Sequence, residues 1–276
     1  MRIYAMNGAG NAFVLLDRRG DRTPMTPGAA DVRAAHAAHA FDQFIVLEDA
    51  EAALSLRFWN ADGGEAGACG NGARAAAWLV FQDGGADRVA FETRGGRLTA
   101  HRTPGGGAEV DMGPPRFDWR EIPLARAADT KALDFAATEG SVRVEAPGAV
   151  SMGNPHAVFF VEDVSRTPVE ALGPIIEHDP LFPERVNAGF AQVRARDRIR
   201  LRVWERGAGL TRACGTGACA ALAAANRRGL AGREAIIEAD GGELPVRWDR
   251  RDHIHLGGPV ELERELGLRD LGPPGL

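Results

Sequence analysis

The sequence has very little lysine and little cysteine, and each scarcity excludes a class of chemistry. Its basic charge comes from 32 arginines and one lysine, Lys131, which lies in the polar stretch ADTKALD. A pyridoxal phosphate enzyme needs a lysine for its Schiff base and would have to use Lys131, so we expect no such cofactor. Three cysteines, an odd number in 276 residues, fit a reducing cytoplasm better than a disulfide framework.

Long apolar runs and an excess of positive charge are also missing. The net charge is −5, from 33 basic and 38 acidic residues, and hydrophobic residues make up 45% of the chain. No stretch approaches the roughly 18 apolar residues of a membrane span, and the start MRIYAMNGAGNAF does not resemble a signal peptide. These features argue against a membrane protein, a disordered chain and a nucleic-acid binder. The length allows one large domain or two modest ones.

What the sequence does contain is an internal repeat. Residues 56–75, LRFWNADGGEAGACGNGARA, match residues 201–220, LRVWERGAGLTRACGTGACA, at ten of twenty positions. The shared residues include tryptophan and cysteine, which are rare, and the offset between the two cysteines is 214 − 69 = 145. The register persists further along, where FETRGGRL parallels IEADGGEL. We therefore predict two equivalent halves, residues 1–117 and 118–276, with the tail 263–276 able to pack on the first half.

Each half shows the same order of predicted elements, in which short β-type runs precede a Gly-rich turn and an Ala-rich helix. The helices are predicted over residues 70–81 and 215–228, the second ending before Gly229. Hairpin-like spacing favours mixed or antiparallel sheet, so we predict an α+β fold. Strands are predicted over residues 13–17, 44–47 and 54–59, and again over 157–161, 189–193 and 199–204.

The repeated cysteines, Cys69 and Cys214, each stand before a Gly-x-Gly turn that opens a predicted helix. The positive end of the helix dipole predicts a lowered thiol pKa there, and the free N–H groups of the first turn can hold a carboxylate. Two such thiols across a cleft between the halves suit inversion of a stereocentre, which needs acid and base on opposite faces of an α-carbon. Such a reaction would need neither metal nor cofactor.

Other candidate residues have plainer interpretations. Cys219, inside the second Ala-rich helix, is predicted to be a small buried side chain. His36 and His39, three residues apart in an Ala-rich stretch, lack accompanying ligands and are predicted to lie on a helix surface. His253 and His255 alternate on a predicted strand and are predicted to be structural, so we expect no metal site. The sequences GNGAR and GTGAC do not predict nucleotide binding, because no GxGxxG opens a βαβ unit and no Walker lysine is present.

Six motifs extend over most of the chain: MNGAGNAFVLLD, FDQF, FWNADGGEAGACGNGAR, MGNPHAVFF, RVNAGFAQV and VWERGAGLTRACGTGACA. They resemble those of the diaminopimelate epimerases. The resemblance implies a pyridoxal-independent enzyme that interconverts L,L- and meso-diaminopimelate in lysine and peptidoglycan precursor synthesis. It also implies two pseudo-symmetric domains, each mainly β-structure around a central helix, with the active site in the cleft between them. A cytoplasmic homodimer without nucleic-acid or membrane partners is expected.

Carried over residue by residue, the resemblance makes Cys69 and Cys214 the two acid/base residues, and makes His156 and Glu205 the residues that tune their pKa. Amide side chains both donate and accept, which suits a substrate with two ammonium and two carboxylate groups. Arg206 could clamp the distal carboxylate. The substrate-binding residues implied in this way are Asn11, Gln43, Asn60, Gly70, Asn71, Asn154, Asn187, Glu205, Arg206, Gly215 and Thr216.

The chain departs from the family pattern at a few places. Asn7 and Ala12 stand where the first motif has His and Asp, and Leu210 stands where Glu is common. The stretch AAHAAHAF replaces a Gly-rich turn before Asp42. None of these changes removes a proposed catalytic group. Together they mean that the resemblance does not define the substrate-side loop near residues 36–43.

Three other functions are compatible with parts of the pattern. A proline or hydroxyproline racemase would share the two cysteines, but Asn71 in CGNG differs from the CGHG typical of those enzymes. A cysteine hydrolase would use one cysteine with a histidine and would survive loss of the other thiol. A binding module would tolerate loss of both.

Overall fold

The computed structural model describes residues 1–21, 25–51, 53–67, 69–84 and 86–271. Within them the chain is mostly β-strand, with four α-helices and one short 3-10 helix. It divides into two compact units, one formed by Met1–Asp111 with the segment that starts at Gly257, and the other by Met112–Leu256. In the described part of the chain, no helix has the length and apolar composition needed to cross a membrane.

The first unit is a mixed sheet that surrounds one helix. Its elements are β1 (Arg2–Gly8), β2 (Asn11–Asp17), α1 (Ala29–Ala38), β3 (Gln43–Asp49), β4 (Leu54–Asn60), β5 (Glu65–Ala66), α2 (Gly70–Gln82), β6 (Arg88–Thr93), β7 (Gly96–Arg102) and β8 (Ala108–Asp111). The pairs β2 with β3 and β4 with β6 are parallel, and β1 with β2, β3 with β4, β6 with β7 and β7 with β8 are antiparallel. Helix α2 contacts β1, β2, β3, β7 and β8.

The second unit repeats this arrangement after a short hairpin. Its elements are β9 (Ala136–Glu139), β10 (Val142–Glu145), β11 (Gly148–Ser151), β12 (Pro155–Phe160), α3 (Val169–Glu177), β13 (Asn187–Ala195), β14 (Arg198–Glu205), β15 (Gly209–Thr211), α4 (Gly215–Arg227), β16 (Glu234–Ala239), β17 (Gly242–Trp248) and β18 (Ile254–Leu256). Strands β11 to β18 pair in the order and directions of β1 to β8. Helix α4 contacts seven of these eight strands, all except β15 among those with several contacts. The predicted α+β fold of two repeated halves is confirmed.

The end of the chain returns to the first unit. Its last strand, β19 (Glu261–Leu266), pairs antiparallel with β1. Where the chain leaves β8 it joins the second unit: Met112 N–H donates to Ile254 O at 2.8 Å, and Arg116 pairs with Ser151 through two backbone hydrogen bonds. Residues 112–117 therefore group with the second unit, and residues 257–262 with the first, which differs from the division at 117 that the repeat alone predicts. Of the predicted tail, residues 272–276 lie outside the described part.

Helices α2 and α4 are central because small and apolar residues occur on every side of both. Ten of the thirteen residues in each are buried, and alanine is the commonest of these, with four in α2 and six in α4. A helix that is mainly apolar all round belongs in a core. Both predicted helices are confirmed to within one residue at their ends, and Gly229 follows α4 with φ +74°. The helix expected near His36 and His39 is present as α1, whereas α3 is not predicted from the sequence. Helix α3 contains Gly173 and Pro174, which weaken its helical pattern.

Candidate active site

Each repeated cysteine is the N-cap of the central helix of its unit. Cys69 precedes α2 and Cys214 precedes α4, both with extended backbone. In each case the N–H of the third helical residue, Gly72 or Gly217, donates to the cysteine Sγ at 3.3 Å. The thiol therefore takes the place that a serine or aspartate oxygen holds at an ordinary helix start. Cys69 is half-buried and Cys214 is buried.

The glycine at the third helical position is required by close packing. A Cβ on Gly72 would lie 2.9 Å from Ile45 Cδ1 and 3.0 Å from Phe58 Cε1. A Cβ on Gly217 would lie 3.0 Å from Val203 Cγ2 and 3.2 Å from the Cys214 Sγ. A side chain at either position would push the helix start away from the sheet, and in the second unit it would also press on the thiol.

In the first unit, a chain of hydrogen bonds holds the amide side chains beside Cys69. Arg74, fully buried in α2, donates through Nη1 to Asn71 Oδ1 at 2.9 Å, and Asn71 Nδ2 donates to Asn11 Oδ1 at 2.5 Å. Arg74 also donates to the carbonyl oxygens of Gly257 and Pro259 at 3.4 and 3.3 Å. The arginine therefore ties the turn before β2, the start of α2 and the returning chain together.

Two further predicted residues of this unit meet at the ends of neighbouring strands. Gln43 and Asn60 are opposite one another in β3 and β4, and Gln43 Nε2 donates to Asn60 Oδ1 at 3.3 Å. The departures from the family pattern have local partners here. Asn7 Oδ1 accepts from Gly10 N–H at 2.9 Å, and Asp42 Oδ2 accepts from Ala12 N–H at 2.8 Å.

In the second unit, three predicted residues form one network with Cys214. Thr216 Oγ1 lies 3.6 Å from the Cys214 Sγ and accepts a hydrogen bond from Asn154 Nδ2 at 3.3 Å. The Oδ1 of Asn154 accepts from Nε2 of His156 at 3.0 Å. His156 therefore reaches the thiol through two intervening side chains.

Glu205, at the end of β14, acts on Cys214 directly. Its Oε1 accepts from Thr211 Oγ1 at 2.5 Å. Burial raises the pKa of the Cys214 thiol well above its usual range, and the charge of Glu205 and a hydrogen bond to it raise it further, against the opposing effects of Thr216 and Gly217. The helix start predicted a lowered pKa for this thiol. The prediction is wrong for Cys214, because desolvation by burial is the largest effect and exceeds the lowering that the hydrogen bonds of Thr216 and the Gly217 N–H produce.

His156 is a neutral side chain in this environment. It is buried on β12, and burial, together with the positive charge of Arg206, lowers the pKa of His156 to about 3. Since Nε2 donates to Asn154, Nδ1 is the bare nitrogen of the ring. Nδ1 has no hydrogen-bond partner among the described residues. It is a buried acceptor and carries no positive charge.

Asn187 and Arg206 are joined by the backbone. Asn187 is buried at the start of β13, directly opposite His156, and its Nδ2 donates to Pro155 O at 2.8 Å. Its Oδ1 accepts from Arg206 N–H at 2.9 Å, and the Arg206 guanidinium donates to Glu184 O at 2.8 Å. The structure thus connects Asn154, His156, Asn187 and Arg206 around the start of α4.

The residues given plainer interpretations are where the sequence predicts them, except that His253 lies just before β18 and not on a strand. Cys219 is fully buried in α4, and His255 contacts Asp249 at 3.0 Å. His36 and His39 lie at the end of α1 and hydrogen-bond to the Phe41 N–H and the Arg264 guanidinium, respectively. No group of three or more His, Cys, Asp or Glu suited to a metal occurs within the described ranges.

Two residues that hold the site residues in place, Arg74 and Thr211, are not predicted from the sequence. Arg74 has a signal in the repeat, because it occupies the position that Cys219 takes in the second half. A charged residue on the buried face of an Ala-rich helix is expected to have specific polar partners. Thr211 has no such signal, since its partner Glu205 lies across a turn.

The fold is shared with solved structures of low sequence identity, among them an epimerase. It matches the crystal structure of a hydroxyproline epimerase from Agrobacterium vitis with bound trans-4-hydroxy-L-proline, with a TM-score of 0.68, 17% sequence identity, and coverage of 99% of this chain and 92% of that one. At this identity the likeness establishes the architecture alone.

Sequence similarity identifies the family to which the chain belongs. The family model for diaminopimelate epimerase matches residues 3–118 and 148–262, one stretch in each repeat. The diaminopimelate epimerase of Phenylobacterium zucineum is 55% identical over 95% of this chain and 96% of its own length. That of Acidiphilium cryptum is 50% identical over 97% of each chain. The chain therefore belongs to the diaminopimelate epimerase family, and it is an isomerase.

Proposed function

We propose that this chain interconverts L,L- and meso-diaminopimelate, with Cys69 and Cys214 as the two acid/base groups. One thiolate removes the α-proton and the other thiol delivers a proton to the opposite face, so the stereocentre inverts. The observation that carries the assignment is the duplicated helix start, in which each cysteine accepts the N–H of a glycine at 3.3 Å in a chain of this family. The mechanism requires that both thiols address one α-carbon.

The helix starts supply stabilisation of negative charge. The first internal hydrogen bonds of α2 and α4 run from Ala73 to Cys69 O and from Ala218 to Cys214 O. The N–H groups of the residues between, Gly70 and Asn71 in one helix and Gly215 and Thr216 in the other, precede this bonding. They can bind a substrate carboxylate, whose charge increases as the α-carbon becomes a carbanion.

The electrostatics favour unequal roles for the two thiols at rest. Because burial and Glu205 raise the pKa of Cys214, we assign Cys214 as the thiol that donates a proton in the first half of the reaction, and the two-base scheme then gives Cys69 the role of the base. After the first proton transfer the roles exchange, and the reverse reaction begins from that state. In this scheme Glu205 tunes Cys214 directly, and neutral His156 tunes the site through Asn154 and Thr216.

Recognition of diaminopimelate is assigned to the amide side chains and Arg206. Asn11, Gln43, Asn60 and Asn71 in the first unit, and Asn154 and Asn187 in the second, offer both donors and acceptors to ammonium and carboxylate groups. Arg206 offers a guanidinium to the distal carboxylate, provided that the Glu184 contact is exchanged. The family resemblance further supports a cytoplasmic homodimer that needs no metal or organic cofactor. Light scattering of the purified protein tests its oligomeric state.

Proton NMR of the reduced protein in D₂O tests the proposed function. L,L-Diaminopimelate, proline and trans-4-hydroxyproline are incubated separately and the α-proton signals are followed. Exchange with diaminopimelate alone establishes substrate and chemistry together. Exchange with an imino acid alone would retain the mechanism and refute the substrate, and no exchange with any of them would refute the function.

A further inference from the structure

A buried carboxylate on α3 holds the segment that presents two of the proposed site residues. Glu177, the last residue of α3, is buried. Its Oε2 accepts from the Trp204 indole Nε1 at 2.7 Å, and its Oε1 accepts from Gly207 N–H at 2.9 Å and from Arg185 Nη1 at 3.3 Å. Trp204 and Gly207 flank Glu205 and Arg206 in the chain. The carboxylate therefore fixes both ends of that two-residue segment.

The surroundings of Glu177 are unfavourable for a carboxylate unless it has such partners. The C-terminal end of a helix carries partial negative charge, and burial of a charge costs free energy unless it is hydrogen-bonded. Arg185, its charged partner, adopts φ +61°, in the left-handed region that residues with side chains rarely occupy. Gly207 also has a positive φ, +76°. Both backbone conformations are held in place where their groups meet Glu177.

The packing of α3 against the sheet serves the same contact. A Cβ on Gly173 would lie 2.3 Å from Trp204 Cγ, so only glycine lets the indole lie against this helix. That close approach brings the indole N–H to Glu177. Trp204 is followed by Glu205, the last residue of β14. Glu205 acts on the Cys214 thiol through its charge and a hydrogen bond.

We infer that Glu177 is a positioning residue for the proposed epimerase site: its carboxylate, bonded to Trp204 and Gly207, directs Glu205 toward Cys214. This inference rests on the proposed function for its consequence in catalysis, and on the contacts themselves for its structural content. Glu177→Gln tests it, because Trp204 and Gly207 donate to different oxygens of Glu177, and glutamine places a donating NH2 group opposite one of the two donors.

The first measurement is the pH at which Cys214 becomes half-reactive toward iodoacetamide, followed by peptide mass spectrometry in a Cys69→Ser background. Since Glu205 raises the pKa of Cys214, displacement of Glu205 lowers this midpoint. Glu205→Gln defines the full shift, and Glu177→Gln is expected to shift the midpoint in the same direction. Combined with Glu205→Gln it should add nothing, because both substitutions act through one group.

The matched control is Glu145→Gln, which makes the same chemical change in an exposed ion pair with Arg143 of the same unit. A Glu177→Gln midpoint equal to that of the control, or a shift that adds fully to that of Glu205→Gln, would overturn the inference. If Glu177→Gln does not fold, Trp204→Phe removes the same hydrogen bond from the donor side, and an unmoved midpoint there overturns it equally.

The second measurement is α-proton exchange with diaminopimelate in the chain that retains both cysteines. Glu177→Gln is expected to lower kcat by roughly tenfold to a hundredfold, as a displaced catalytic geometry does, and a wild-type kcat would contradict the inference. If the unsubstituted enzyme itself shows no exchange, the proposed function fails, while the alkylation midpoints still decide whether Glu177 positions Glu205.

Discussion

The N–H of Gly217 donates a hydrogen bond to the Sγ of Cys214 at 3.3 Å, and a Cβ on Gly217 would lie 3.2 Å from that sulfur. The hydrogen bond and the lack of a side chain are therefore parts of one arrangement. In the first unit Gly72 makes the same bond to Cys69, but a Cβ there would meet Ile45 and Phe58.

This difference predicts different consequences for the two glycines. Gly217→Ala should lower the rate of α-proton exchange by about a hundredfold, because it displaces a reacting group. Gly72→Ala should mainly lower the free energy of unfolding, by about 1–3 kcal/mol, because it overpacks the core. Alanine is the better helix former by about 1 kcal/mol, which offsets only part of that cost. NMR exchange rates and urea unfolding measure the two effects.

The control for both is Gly105→Ala, whose added Cβ would meet nothing within 4 Å. It should leave the free energy of unfolding within about 0.5 kcal/mol of the parent chain. If Gly217→Ala exchanges the α-proton as fast as this control, the prediction is wrong, and the position of the Cys214 thiol does not depend on Gly217.

Two-base catalysis predicts that both thiols are required for activity. Cys69→Ala and Cys214→Ala should each lower racemisation by at least about a hundredfold while the fold persists. Cys219→Ala, on the buried face of α4, should retain activity and lose about 1 kcal/mol of stability. Polarimetry and circular dichroism check these outcomes. A cysteine hydrolase would survive loss of one thiol, so turnover retained in either of the first two variants would refute the mechanism.

The neutral state of His156 predicts a pH dependence of stability. Between about pH 6.5 and pH 3 the unfolded chain binds a proton at this residue that the folded chain does not. The stabilisation is therefore complete above pH 6.5 and is lost as the pH falls, by about 1.4 kcal/mol per pH unit. In His156→Gln, the difference in unfolding free energy between pH 7 and pH 5 should shrink by about 2 kcal/mol.

Urea unfolding at the two pH values tests this dependence. His178→Gln, at an exposed position after α3, is the matched control and should leave the difference as it is in the parent chain. Equal pH dependence in the parent chain and in His156→Gln would mean that the pKa of His156 is the same in the folded and the unfolded chain.

The hydrogen bonds of Arg74 predict that its loss affects both the free energy of unfolding and the position of the proposed substrate-binding amides in the first unit. Arg74→Met keeps the length of the side chain but leaves Asn71 Oδ1 and two backbone carbonyl oxygens without this donor. It should lower the free energy of unfolding by about 2–4 kcal/mol and raise KM for diaminopimelate. Arg94→Met, at an exposed arginine, is the control, and equal stability of the two variants would contradict the role of Arg74.

The fold was largely predictable from the sequence because its cues are local. The paired tryptophans, cysteines and glycines define the repeat, and Ala-rich stretches without a polar face define α2 and α4. The division into units was less predictable, since residues 112–117 and β19 are placed by backbone hydrogen bonds to distant strands. Of the candidate site, the helix-start cysteines were predictable and Arg74 has a signal in the repeat. Thr211 and Glu177 were not predictable, because their partners lie across a turn or far along the chain.

The sequence by itself determined the duplication, the central helices and the presence of a cysteine at each helix start, since these follow from composition, spacing and capping preferences within short stretches. Only the tertiary structure decided which side chains meet. It placed Glu205 near Cys214 and buried the thiol, and these two effects raise the pKa of a thiol whose helix start alone predicted a lowered pKa. Burial and through-space charge depend on residues brought together by folding, and no local pattern contains them.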